Sequence, residues 1–442
     1  TIALGKKAGV VDPEIDPAIA RAANFFGYYV NKGSIPYGEH VPFCGEAGIN
    51  GRTYWNHRSN GKDGLAAVMF AVMGGRPVQA QYYSRMALAG YNGEPYGHTG
   101  QGFSYLWTEL GANVAGTNAV QAYQQKLRWD RDMKRRLDGS FVYEGGEQWA
   151  PGNLTDYWGN SSYHDTPTAY YLIHAAIPLK KLYITGKNAD PTNTLSSQVV
   201  SNALWAAQYP ETCGGYTTNQ LVSHLAEYDP MVRMNAATEL SLRPGASSLV
   251  PLLIAMATNP TNASQRAGAC YALGVMQATA AVPTLVSLLS DADYGVRFRA
   301  AEALGPWNRG WQGSGIPISA TVPYLTSMMA TYITNVTPTY PLVYGSPNPG
   351  FNWDDPLQFA NGMLAVTVFN PNNLGANTIN TPKNQLWPAV AAGIKHPTGA
   401  FRGNGMNDFV VNLLTLEDVK ALALNLFEEA ELEGPCDRMY TG

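Results

Sequence analysis

The chain has 442 residues, enough for two or three domains or for one large helical array with a substantial core. Only 14% of its residues are charged and the net charge is −4, where an average soluble protein carries about 25% charged residues. That balance argues against a nucleic-acid partner, which needs a concentrated basic face. Gly (45), Tyr (26) and Trp (10) supply a weakly charged, ring-rich surface that suits sugar contact and self-packing.

In chain order, residues 1–14 read as an extended arm, and residues 15–31 as a helix opened by Asp16-Pro17 and followed by Gly33. Residues 34–61 are irregular. Lys62–Gly75 is a strongly apolar helix, and Pro77–Leu88 a second one with proline in its first turn. A further irregular stretch, 90–102, leads into a helix at Phe103–Leu110. Asn118–Leu137 reads as one long amphipathic helix ending in Lys134-Arg135-Arg136, a basic end that suits a helix C-terminus. Its cations alternate with Asp130 and Asp132, the pattern of a solvated face. Residues 140–160 are turn-rich, and Thr166–Ile184 is an apolar helix stopped by Gly186. No apolar run reaches the roughly 18 residues of a membrane span.

A repeat follows. Arg233-Met-Asn-Ala-Ala-Thr-Glu-Leu240 is echoed by Arg266-Ala-Gly-Ala-Cys-Tyr-Ala-Leu273 and by Arg297-Phe-Arg-Ala-Ala-Glu-Ala-Leu304. A second echo, Val250-Pro251, Val282-Pro283 and Val322-Pro323, trails each of them. The arginines are spaced 33 and 31 residues apart and the prolines 32 and 40, the longer step being an insertion at Trp307–Ile316. This period means stacked helical hairpins, each too small to bury its own apolar face. The Asp before the first helix, the Arg inside it, the small Ala pair and the proline-led second helix resemble HEAT repeats. Beyond them, residues 331–355 read as loop, 356–368 as helical and 370–383 as a polar loop. Asn384–Ile394 and Thr415–Leu432 read as helices.

The first 190 residues, helix pairs joined by long Gly- and aromatic-rich loops, resemble an α/α toroid. Such a fold rings a cavity with inner helices and places loops over its mouth. The strings Asn60-Gly-Lys-Asp-Gly-Leu-Ala-Ala-Val68, Gly97–Trp107 and Lys181-Leu-Tyr-Ile-Thr-Gly186 are similar to a bacterial family of unknown function that couples such a region to HEAT-like repeats. The resemblance implies an exported protein and brings no assigned reaction. The expected fold is therefore all-α: a toroid-like region over 1–215, HEAT-like repeats over 216–330, and a loop-rich helical segment over 331–442 that packs back. A start at Thr1 is what a processed, exported chain, secreted or periplasmic, would show.

Cys44, Cys213, Cys270 and Cys436 lie too far apart for a Cys-x-x-Cys site. They allow two disulfides, or buried thiols such as Cys270 on a small-residue helix face. No motif implies a metal or a cofactor. Gly61-Lys62 is no phosphate loop, since Asn56 and Asp63 stand where glycine and Ser/Thr belong. The remaining chemistry lies on loops, where rigid scaffolds tend to build sites. The candidate catalytic residues are His164, Asp165 and His98; the candidate ligand contacts are Tyr54, Trp55, His57, Trp107, Tyr163 and Arg402. Asp165 either charges His164 as an acid/base pair or caps the following helix. His98 either acts on substrate or ties its own loop. The inventory supports two functions: a scaffold that binds protein partners or itself, or a polysaccharide lyase or glycoside hydrolase working in the toroid cavity.

Overall fold

The computed structural model describes residues 1–35, 60–92, 101–141, 165–304, 316, 416, 417 and 420. Among them the regular elements are helices, and one isolated bridge pairs Arg135 with Phe141. None of these helices is long and apolar enough to cross a membrane. We number them α1 (Ile2–Lys7), α2 (Ile15–Tyr28), α3 (Asn60–Met73), α4 (Pro77–Ala89), α5 (Gln101–Val114), α6 (Thr117–Lys126), α7 (Arg128–Lys134) and α8 (Asp165–Ala175). There follow α9 (Ser197–Thr212), α10 (Thr218–His224), α11 (Pro230–Ser241), α12 (Val250–Ala257), α13 (Ala263–Val275), α14 (Val282–Leu288) and α15 (Tyr294–Leu304).

Three sequence expectations change. The helix read at 166–184 ends at Ala175, where Pro178 opens a short 3-10 turn at Ile177–Leu179, followed by another at Tyr183–Thr185. The extended arm is partly helical: α1 forms because Ala3 and Leu4 pack on the apolar cluster of Val68, Val72 and Leu110. The long 118–137 helix is two helices. It breaks at Leu127, whose backbone leaves helical geometry (φ −101°, ψ 10°) while its side chain fills a core with Tyr123 and Ala203. Of the C-terminal expectations, only positions 416, 417 and 420, which are helical, fall among the described residues.

The first part is built on the contact between α3 and α5. Gly61 lies level with Phe103 and Ser104, and Gly64 level with Trp107 to Gly111, so the two helices run parallel. A Cβ on Gly64 would stand 2.3 Å from Trp107 O, and one on Gly111 2.4 Å from Gly64 Cα, so only glycine permits this approach. The hairpin into α4 turns on Gly74 and Gly75, both at positive φ, with Pro77 opening α4. Many tyrosines are core residues with a tied hydroxyl: Tyr82 OH receives Gly33 N–H at 2.9 Å and donates to Gly33 O at 3.1 Å.

The second part is the repeat. Side-chain caps start its first helices: Asp229 accepts from Met231 N at 2.8 Å and Asn262 from Gln265 N at 3.0 Å. Each repeat arginine ties the turn ahead of its own helix. Arg233 donates to Glu227 O and Tyr228 O, Arg266 to Asn259 O and Pro260 O, and Arg297 to Asp291 O and Ala292 O. Arg266 also forks onto both Asp291 oxygens at 2.9 and 3.0 Å, linking one repeat to the next. The space between is apolar: Ala236, Leu240, Leu253, Cys270, Leu273, Leu285, Val296 and Ala300 form one buried cluster. Cys213 and Cys270 are free buried thiols, and burial pushes the Cys270 thiol up to about 12. Cys44 and Cys436 lie outside the described residues. At the Trp307–Ile316 insertion, Ile316 is buried in the same cluster and its N–H bonds Ala303 O at 3.2 Å.

Candidate functional site

α8 follows the direction of α5. The Tyr171 ring lies 6.1 Å from Tyr105, and His174 one turn later reaches Leu106 O at 3.2 Å. The chain then runs on to Gly186 beside Asn113. α3, α5 and α8 therefore start at one end of the molecule. Two buried polar clusters flank the α3–α5 contact, one in the first turn of α3 and one around Glu109 in the second half of α5.

The first cluster joins α5, α6, α7 and α8 around Glu109. Gln124 Nε2 donates to its Oε1 at 2.6 Å, and Arg131 Nη2 to its Oε2 at 2.5 Å. His174 Nδ1 stands 3.2 Å from the same Oε2, an ion-pair distance that lies off the hydrogen-bonding axis. Glu109 and His174 are each 1% exposed. Burial alone would raise the Glu109 carboxyl, but His174, Arg131 and Gln124 outweigh it and hold it at about 2. Beside them Lys134, also buried, donates to Asp130 Oδ1 at 2.6 Å and to Tyr105 OH. The basic run read as a solvated face thus turns Asp130 and Lys134 inward, because Tyr105 on α5 offers a partner that the helix's own sequence does not reveal. This carboxylate, satisfied on every side, is built to hold four helices together rather than to exchange protons.

The second cluster surrounds Asp63 in the first turn of α3. Asp63 is fully buried. Its Oδ1 accepts Ile35 N–H at 3.1 Å, and the Ser34 hydroxyl also bonds the carboxyl. Its Oδ2 has no partner among the described residues. Burial pushes the carboxyl up to about 7; Ile35, Ser34 and Lys62 restrain the shift, and Asp229 adds to it. Burial likewise lowers the neighbouring Lys62 to about 8, against the pull of Asp63. A carboxyl that titrates near neutrality can give or take a proton there, which Glu109 cannot.

Of the expected site residues, Tyr54, Trp55, His57, His98, Tyr163, His164 and Arg402 lie outside the described residues. Asp165 is the first residue of α8, at the position of a helix start; its side chain is not among those described. Trp107 is half-buried in α5 and packs on the Val68–Leu110 cluster, with its ring 6.4 Å from Phe103. Sequence reasoning missed Asp63, Glu109, Arg131 and His174 as a group. The signal of Glu109 and His174 was a single ionisable residue inside an otherwise apolar helical run, as in Tyr170-Tyr-Leu-Ile-His174-Ala-Ala. Among the described residues, no group of three or more His, Cys, Asp or Glu could hold a metal ion.

Residues 1–186 match a family model described as a domain of unknown function (DUF6288). Residues 250–331 match HEAT repeats. No curated protein and no solved structure matches the chain.

Proposed function

We propose that the protein is an exported scaffold that assembles with copies of itself through the second helices of its HEAT repeats. HEAT repeats suggest a scaffold or interaction role, since stacked hairpins offer an extended rigid surface. One observation carries the finer reading. Between Arg243 and Asp291 the sole charged residue is Arg266, and its side chain is spent on Asp291 and two carbonyls. α12 and α14 therefore present Pro251, Leu252, Ala255, Pro283 and Ser287 to solvent with no charge among them. A two-fold contact sets each group near its own copy, so any charge near the axis repels itself; a charge-free face has no such cost. The same sparse charge supports a place outside the cell.

The test is light scattering of the purified full chain across a hundredfold dilution. Assembly predicts a mass above one chain that falls on dilution, and monomer at every concentration for Leu252→Lys with Ser287→Lys. A strictly monomeric wild-type chain would sink the reading.

The glycan-active enzyme is kept as a second reading because of Asp63. The segments bearing Tyr54, Trp55 and His57, then His98, then Tyr163 and His164, lead in sequence straight into α3, α5 and α8. These three helices start at one end, where the first turn of α3 carries a carboxyl titrating near neutrality. Release of reducing or unsaturated ends from neutral and uronate-containing polysaccharides, lost in Asp63→Asn and His164→Ala, would support it. No release from either class would reject it.

A further inference from the structure

At the opposite end from those helix starts, where α3 and α5 finish, lies a cavity of about 50 Å³. Its floor is apolar, made by Val68, Val72 and Val114. Its wall is the turn from Tyr183 to Ala189, with Asn113 and the nearly buried Asn193 beside it. Two lysines close its rim from different parts of the chain. Lys7 is set there by α1, and Lys187 by the turn. Both ammonium groups approach one ring: Lys7 Nζ is 5.2 Å and Lys187 Nζ 5.3 Å from the centroid of Tyr183.

Among the described residues, no acidic residue lines the cavity. Neither lysine makes an ion pair among the described residues; the salt bridge of α1 belongs to Lys6 and Asp16. Two ammonium groups held at one rim favour an anion there. We propose that this cavity binds a small carboxylate. Lys7 and Lys187 take the charge, the amide groups of Asn113 and Asn193 can donate to the oxygens, and the valine floor takes a short aliphatic body. A water needs roughly 10–15 Å³ by this measure, so the space suits a ligand of about four to six heavy atoms. A tetrahedral phosphate would press unpaired oxygens onto valine, which costs free energy; the carboxylate turns its apolar end there instead. Since α1 carries one of the two charges, the ligand also fastens α1 to the bundle.

Calorimetric titration of the full chain with propionate at fixed ionic strength tests this, with phosphate and chloride as separate arms. Saturable propionate binding is expected, at least tenfold tighter than phosphate, with no saturable response to chloride. Lys7→Gln and Lys187→Gln should each weaken propionate about fivefold, and together abolish measurable saturation. Both side chains are exposed, so circular dichroism should show the variants folded. Absence of saturable propionate binding, binding unchanged in the folded double variant, or phosphate binding as tightly as propionate would each overturn the proposal.

Discussion

The two halves of the molecule use charge in opposite ways. In the helices before residue 187, buried ionisable side chains meet across helix boundaries: Glu109, Arg131 and His174 come from three elements. In the repeats, the centre is mostly alanine, leucine and cysteine, and each repeat arginine is tied to a turn five to seven residues away, with Arg299 buried against Met234 and Tyr271. The first arrangement makes each helix depend on its neighbours, since a buried charge that loses its partner keeps its desolvation cost. The second confines each repeat arginine (Arg233, Arg266, Arg297) to one hairpin and its successor. The bundle should therefore fail abruptly under substitutions that the repeats absorb.

Breaking the central carboxylate gives the largest expected effect. Glu109→Gln removes the negative charge facing Arg131 and His174 and should cost about 3–5 kcal/mol, read as a fall in the urea midpoint. Because the carboxyl is held at about 2, below its ordinary value of 4.5, its contribution is fully present above pH 4.5. It should fade as acid approaches pH 2, a fade absent from the variant. Asp63→Asn runs the other way. The folded protein holds this proton up to about pH 7, against an ordinary value of 3.8, so wild-type stability should decline as pH rises from about 4 through 7. The asparagine variant escapes that decline. Its stability relative to wild type should rise by about 4 kcal/mol between pH 4 and pH 8. Arg266→Lys in the repeats keeps the charge and loses the fork onto Asp291, for about 1–2 kcal/mol. If the arginine variant proves costlier than the glutamate variant, the contrast between the halves is wrong.

The same contrast explains what was legible in the sequence. The repeats could be read because their contacts are local and recur: a proline in the first turn and an arginine bonding just upstream leave a period. Helices α3, α4 and α5 were legible from apolar runs, with Pro77 marking one start. α1 was not, since six residues show no period and its reason to form is Val68 and Val72, more than sixty positions away. Lys134 looked solvated because its partner Tyr105 sits 29 positions back on another helix. The Glu109–His174 pair bridges 65 positions, and nothing in either helix announces the other. Asp63 was seen only as a departure from a phosphate loop, while its real meaning, a buried acid near neutrality, comes from burial against elements far off in sequence, with Asp229 adding to the shift.

Helix α9 falls in neither of the two segments that match known families, 1–186 and 250–331. Yet it is shared lengthwise between their cores. Val200, Ala203 and Ala207 close the cluster of Leu88, Tyr123 and Leu127, while Ala206, Tyr209 and Cys213 enter the cluster of the repeats. The chain is thus not divisible at the borders that sequence comparison draws. A fragment ending before α9 leaves one core open, and a fragment starting after it opens the other. Two modules recognisable apart have become a single unit of folding, and any shuffling of the repeats onto another partner would have to carry this helix along.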